Sequence, residues 1–425
     1  MTLPVIGFAG LTHLGLNMAA ASAIRGFRVI GYHDDTSLVA AINAGNLPVN
    51  EPGLETAIES HRDKLSFTAD VADLTQCDVV YLSVDVPTDE EGVSDLAPIE
   101  AMISDFLPHL SKDSVFVVLC QVPPGFTRRL RNSAPCLYYQ VETLVFGQAL
   151  DRALNPERFI VGCATPSADL NPRLQEHLNA FGCPILPMGY ESAELAKISI
   201  NMVLAASISA ANSMAEICEH IGADWSEIAP ALRLDKRIGA HSYIRAGLGL
   251  SGGNLERDLA TVIELAEQHR TDAGIIKAWV ANSRHRKQWC LEMLKREILN
   301  ANPDAMITVL GLAYKENTHS TKNSPALALL DGLQPNNVIV HDPLVRPEDV
   351  SHIPHFAKDP LQAVTGADAV AIMTPWQDYK NLRAQDLAAR MKGRIVIDPY
   401  RLLPTNAVIA AGLDHFVLGA PPARA

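Results

Sequence analysis

Short apolar runs rich in β-branched residues alternate with stretches of helical period through the first part of the chain. Residues 5–9, 28–32, 79–84 and 114–120 read as strands, and residues 16–24, 37–44 and 96–110 read as helices. Strands and helices alternating at this spacing predict a parallel sheet covered on both faces. From residue 191 to 221 the pattern becomes one unbroken helix with Ala, Ile, Leu and Met on more than one side, which suggests a central spine or a subunit contact. Helical patterning continues through 255–268 and 272–299. A second alternating block then follows, with strands at 305–312, 337–341, 369–373 and 394–397 and a helix at 325–333. The predicted fold is α/β: two Rossmann-like doubly wound parallel-sheet domains joined by a central helical domain with a long spine helix. The expected boundaries are 1–190, 191–300 and 301–425.

Composition narrows the class. With 425 residues, 48% hydrophobic and 20% charged, the chain reads as a globular protein of two or three domains. No apolar run is expected to reach membrane-span length, and the first residues read as a strand rather than a leader, so the expected location is the cytoplasm. The net charge of −13 argues against nucleic acid or an anionic membrane as the main partner, while leaving room for a local anion site. Seven scattered cysteines, with no Cys-x-x-Cys pair and no His clustering, predict reduced, mostly buried thiols and no metal centre. His285 lies in a basic run that reads as a solvated helix face.

Two glycine-rich stretches carry candidate chemistry. Gly247, Gly249, Gly252 and Gly253 lead directly into a helical segment beginning near Asn254, an arrangement expected to hold an anion on backbone amides and a helix N-terminus. Asn254 and Asp258, four apart, share a helix face there. Near the start of the chain, Gly10-Leu11-Thr12-His13-Leu14-Gly15 follows the first strand and opens a helix, the context of a dinucleotide-binding turn. Thr12 stands where the second glycine belongs, and its side chain is expected to crowd the phosphates. His33 occupies the ribose-binding place at the end of the second strand, followed by Asp34 and Asp35, whose charge disfavours a 2′-phosphate and favours NAD over NADP.

Further segments, taken in order, resemble the UDP-glucose/GDP-mannose dehydrogenase family over essentially the whole chain. They are Pro48 with Glu51-Pro52-Gly53-Leu54; Asp85, Pro87-Thr88-Asp89 and Ser94-Asp95-Leu96; Val122 with Gly125-Phe126-Thr127; and Asn155-Pro156 with Arg158. Beyond these come Glu194 with Lys197 and Asn201; Leu234-Asp235 with Arg237-Ile238-Gly239; Gly311 with Lys315, Thr318 and Ser324-Pro325-Ala326; and His341-Asp342-Pro343. The resemblance implies an NAD domain, a helical dimer domain and a domain holding the nucleotide of an NDP-sugar, UDP favoured, in a homodimer or higher homo-oligomer. It implies catalytic roles for Lys197, Asn201, Glu142 and Asp258, and cofactor contacts from Val86 and Lys322 beside the turn residues. It also implies substrate contacts from Arg237, Tyr243, Gly249, Gly252, Lys315 and Arg401, with Arg237 reaching a neighbouring protomer's sugar pocket.

That family oxidises C6 of the sugar twice, and the second step needs a thiolate to trap the aldehyde. Here Asn254 stands at the family's Cys, Gln121 at its Thr, Phe146 at its second Glu and Lys322 at its Arg. Cys120 adjoins Gln121, but neighbouring strand residues face opposite sides, which disfavours it as a substitute thiol. The favoured reading is an NAD-linked nucleotide-sugar oxidoreductase limited to a two-electron step, with the Asn254 amide hydrogen-bonding a carbonyl. The alternatives are an acid-forming dehydrogenase with another nucleophile or a hydrated aldehyde, and a non-catalytic nucleotide-sugar or dinucleotide binder.

Overall fold

The computed structural model describes residues 2–87, 94–134, 136–350 and 355–425, so Thr88 and Asp89 of the Asp85 motif lie outside the described residues. The chain divides into two units, Met1–Ile200 and Asn201–Ala425, and the boundary falls inside the long helix Tyr190–Ile221.

In the first unit the strands are β1 (Ile6–Ala9), β2 (Val29–Tyr32), β3 (Leu65–Thr68), β4 (Val79–Leu82), β5 (Val115–Val118), β6 (Leu137–Gln140), β7 (Phe159–Cys163) and β8 (Ile185–Gly189). They form one sheet in the order β3-β2-β1-β4-β5-β6-β7-β8. All neighbouring pairs are parallel, as expected, except β6 and β7, which are antiparallel. Every residue of β1, β2, β4 and β5 is buried, as strands covered by helices on both faces must be. Strand order reverses between β2-β1 and β4-β5, which opens a crevice beyond the carboxyl ends of β1 and β4.

The helix His13–Ile24 covers this sheet with a run of small side chains, and residues 13–23 are all buried. Against it lies His177, only 1% exposed. Ser22 Oγ donates to the Met18 carbonyl (2.9 Å) and so accepts from His177 Nε2 (3.0 Å), while the Tyr81 hydroxyl donates to Nδ1 (2.8 Å). A neutral imidazole satisfies both partners, and burial holds the His177 pKa down to about 3.

In the second unit β9 (Ile307–Leu310), β10 (Val338–His341), β11 (Ala369–Ile372), β12 (Ile395–Ile397) and β13 (Asp414–Phe416) form a parallel sheet in the order β10-β9-β11-β12-β13. Helices Trp225–Leu234, Asn254–His269 and Gly274–Lys287 precede it in sequence. The basic run around His285 is only partly a solvated face. His285 pairs with Glu216 at the surface (2.7 Å), but Arg286 is fully buried and bonds Glu219 (2.9 Å), which also accepts from Trp289 Nε1 (2.8 Å) and Gly419 N (3.0 Å).

By length and composition the helix Tyr190–Ile221 is long and apolar enough to cross a membrane, which corrects the expectation that no run reaches that length. It also carries buried polar groups that belong to the fold, Glu194, Asn212 and Glu219 among them. Leu195, Val203, Met214, Ile217 and Ile221 stay at least 46% exposed, so within one chain the helix is not buried on every side.

The buried imidazole predicts acid sensitivity. Between about pH 6.5 and 3 the unfolded chain binds a proton at His177 that the folded chain refuses, so stability rises with pH across that window. The urea midpoint is expected to fall from pH 6.5 to 5, with His177 contributing up to about 1.4 kcal/mol per pH unit. His177→Gln should flatten the dependence, and an unchanged slope in that variant would refute the assignment.

Candidate functional site

The turn after β1 is shaped by close approach. Gly10 has φ of +109°, and a Cβ there would meet Val84 at 2.7 Å; a Cβ on Gly15 would lie 1.9 Å from the Gly10 carbonyl oxygen. Both glycines are therefore required by the packing of the first helix on the strand ends. The expected crowding by Thr12 is corrected. Its Oγ1 donates to the Ser83 carbonyl (3.1 Å) and accepts from Asp85 N (3.2 Å), so the side chain lies against the end of β4. Asp85 in turn accepts from His13 N (3.2 Å), the first amide of the helix.

His13 is buried, its Nε2 2.7 Å from Glu51 Oε1 and its ring stacked on Phe146 with centroids 4.0 Å apart. Glu51 also accepts from Gly147 N (2.8 Å) and Ala149 N (3.3 Å), tying the turn to the segment after β6. Leu14 points into the hydrophobic core. His33 sits just beyond β2, with Nδ1 3.0 Å from Asp34 Oδ1 and 3.1 Å from Asp35 N, and Asp35 caps the next helix. Val86 is half-buried beyond β4. A glycine turn, a helix N-terminus and a polar residue at the end of β2, all at the reversal of strand order, fit a dinucleotide; the Asp85 carboxylate on the helix amide is a discordant group.

Lys197 Nζ donates to both the carbonyl and Oε1 of Glu142, each at 2.8 Å, and both side chains are largely shielded from solvent. One turn earlier on the same helix, fully buried Glu194 accepts from Gly125 N (2.6 Å) and Thr127 N (2.8 Å). Burial pushes its carboxyl up, against the pull of those amides. The loop held in this way carries half-buried Gln121. Its neighbour Cys120 is fully buried in the core, and desolvation raises its thiol far out of the reactive range. Desolvation raises every other thiol as well: Cys77, to about 12, Cys136, Cys163, Cys183, Cys218 and Cys290.

In the second unit Asn254 opens the helix Asn254–His269 and is exposed. One turn on, Asp258 is 1% exposed and accepts from Asn201 Nδ2 (2.5 Å), with Arg257 Nε 3.5 Å away. The glycine loop before it is less open than expected. Gly249 and Gly252 have positive φ, and a Cβ would meet the Ser283 carbonyl at 2.5 Å or the Tyr314 ring at 3.0 Å. The amides of Gly247, Leu250 and Gly252 already donate to Asn212, Ser283 and the Lys322 carbonyl. Packing requires glycine at 249 and 252, whereas a Cβ on Gly247 would meet nothing within 4 Å.

The Lys322 side chain lies over Gly253, and Lys315 lies over the Tyr314 ring, 5.6 Å from its centroid. Glu256, in the first turn of the helix, bonds Asn323 and Lys287. Tyr243 is 55% exposed. Arg237 is exposed and paired with Asp235 (2.6 Å), while Arg401 grips Asp224 with both terminal guanidinium nitrogens (2.9 and 3.1 Å) and braces the cap of the helix Trp225–Leu234. The positions of His13, Glu51, Asp85 and Glu194 were not assigned from sequence. All four lay inside quoted motifs, but their partners are distant in the chain.

Profile models of the UDP-glucose/GDP-mannose dehydrogenase family match three stretches: the NAD binding domain over residues 4–178, the central domain over 191–284 and the UDP binding domain over 308–405. The UDP-glucose 6-dehydrogenase of Pseudomonas aeruginosa is 30% identical across 100% of this chain and 98% of its own length. The UDP-glucose 6-dehydrogenase TuaD of Bacillus subtilis is 28% identical across 99% and 94%. A solved UDP-glucose dehydrogenase from Pyrobaculum islandicum superposes with a TM-score of 0.83 at 27% identity, covering 93% of this chain and 98% of that one.

With all seven thiols raised by desolvation, iodoacetamide at neutral pH is expected to label each of them more slowly than free glutathione, the five buried ones most slowly. Denaturant should expose all seven to rapid labelling. Mass spectrometry reads both rates, and one cysteine labelled faster than glutathione would mean that a primed thiolate exists after all.

Proposed function

Because the chain belongs to the UDP-glucose/GDP-mannose dehydrogenase family, we propose that it oxidises one CH–OH group of a UDP-sugar by a single two-electron step, with Asn254 in the place of a thiol nucleophile. That it is an NAD-dependent oxidoreductase of the nucleotide-sugar dehydrogenase type follows from the family itself. The limit to one step, and the residues that impose it, are our reading.

Oxidising a primary alcohol breaks one O–H and one C–H bond. Bound NAD supplies the hydride acceptor, so this chain's residues have to take the proton and steady the alkoxide left behind. Lys197, held against Glu142, is suited to stabilise that charge, and Glu142 gives the pair a route for the proton. Asn201, fixed by Asp258, presents an oriented amide. The aldehyde so formed carries no O–H, so a second hydride can leave only from a tetrahedral adduct. An amide does not build that adduct; Asn254, exposed in the first turn of its helix, hydrogen-bonds the carbonyl instead. The observation that carries this reading is the chemistry of the seven cysteines, all of which burial holds as thiols, Cys120 most of all.

The UDP moiety is assigned to the C-terminal domain, with Lys315 as a substrate contact, and the turn with Gly10, Gly15 and His33 to NAD. Acidic Asp34 and Asp35 beyond β2 support NAD over NADP. The exposed apolar row on the helix Tyr190–Ile221 supports a homodimer, with Arg237 free of the fold's interior and available to a second protomer. We assign the protein to the cytoplasm.

Turnover of a UDP-sugar panel should yield one NADH per sugar and a product that reacts with hydrazine reagents. Two NADH and a carboxylate would overturn the one-step limit, and no NADH with saturable UDP-sugar binding would remove catalysis. Lys197→Met is expected to lower kcat by about 10²- to 10⁴-fold while UDP-sugar affinity, read by calorimetry, changes little.

A further inference from the structure

Resting on the reading of the Gly10–Gly15 turn as the NAD site, a second constraint follows from what sits on it. The amides at the start of a helix are the groups that hold a dinucleotide's pyrophosphate. Here the first of them, His13 N, already donates to Asp85 Oδ2 at 3.2 Å. The contact is secured from behind: Asp85 N donates to Thr12 Oγ1 (3.2 Å), and Thr12 Oγ1 donates to the Ser83 carbonyl (3.1 Å). Thr12 therefore works as a latch that holds Asp85 in place of a phosphate oxygen. A carboxylate and a phosphate offer the same acceptor chemistry to one N–H, and the two cannot share it.

We propose that Asp85 sets the affinity for the cofactor, its carboxylate holding the helix amide until an incoming pyrophosphate displaces it. Charge works in the same direction. Glu51 holds the His13 ring nitrogen, Glu142 is paired with Lys197 and repels the Asp85 carboxylate, and Asp85 adds a further negative charge beside the path of a doubly charged pyrophosphate. Asp85 reaches the surface, although crowding around its carboxylate desolvates it and raises its pKa, and a rotamer change carries the carboxylate off the amide. Each dinucleotide that binds must supply the free energy to break this contact, so the protein binds NAD(H) more weakly than an open turn would.

Binding, without turnover, tests this. Adenosine, ADP, NAD and NADH are titrated calorimetrically into the full-length protein, its Asp85→Asn variant and its Asp85→Ala variant, with thermal melts confirming that all three are folded. Asp85→Asn keeps the shape and removes the charge; Asp85→Ala also vacates the amide. Both are expected to tighten ADP, NAD and NADH by about tenfold, while adenosine, which has no phosphate, keeps its affinity. Unchanged or weaker NAD binding in both variants overturns the proposal and leaves the cofactor site standing. An equal gain for adenosine also overturns it, since that would report general loosening. Failure of all three proteins to bind ADP or NAD at millimolar concentration overturns both this inference and the assignment of the turn to NAD.

Discussion

One turn of one helix holds the working end of the first unit together. Glu194 and Lys197, three residues apart and so on one face of the helix Tyr190–Ile221, reach two different loops. Glu194 takes the amides of Gly125 and Thr127 beyond β5, and Lys197 takes the carbonyl and carboxylate of Glu142 beyond β6. The two charges are of opposite sign and well shielded, so each loop is fixed by a strong, directional contact rather than by apolar packing alone. Losing one partner of such a buried pair costs about 3–5 kcal/mol, enough to free a loop without unfolding the sheet. Lys197, to which we assign a catalytic role, is thus also a structural tie.

The chemistry that the protein can perform is bounded by what lies at two places in the chain. At Asn254 there is an amide at a helix start, and at Cys120 there is sulfur sealed in the core. A helix N-terminus lowers a thiol's pKa and an apolar core raises it. Five of the seven cysteines are buried and the other two, Cys136 and Cys183, are partly buried, so desolvation raises every thiol. In the function we propose, Lys197, Asn201 and Asp258 supply the polar groups for alcohol oxidation and the covalent step is omitted.

The alternation of strands and helices was legible because β1, β2, β4 and β5 are buried on both faces and so read as unbroken apolar runs. Gly10 and Gly15 were legible for a similar reason: the clash that demands them is with their own turn and the neighbouring strand end. What could not be read is where a side chain points when its partner lies far along the chain. Thr12 looked like an intruder among phosphates because its bonds to Ser83 and Asp85 span more than seventy residues. Gly249 and Gly252 looked like ligand glycines, although Ser283 and Tyr314 are what press against them. Arg286 looked solvated because only the placement of Glu219 reveals that it faces inward. The resemblance pointed to Glu142, Lys197, Asn201 and Asp258, and the geometry adds two separate pairs, Lys197 with Glu142 and Asn201 with Asp258.

The reversal of direction between β6 and β7 has a consequence for where polar groups gather. A parallel neighbour would force the chain to travel back along the sheet before re-entering it, whereas an antiparallel neighbour is entered from the side on which β6 finishes. Residues 141–158 therefore never leave the rim onto which β1, β4 and β5 also open, and Glu142 and Phe146 stay level with His13 and Glu51. β8 runs with β7 and so delivers the chain to the far rim, from which the helix beginning at Tyr190 has to climb back. Seven residues at about 1.5 Å each carry it roughly 10 Å, the height at which Lys197 draws level with Glu142. The one reversal of direction, which β7 and β8 share, thus sets how far along its helix the lysine has to be placed.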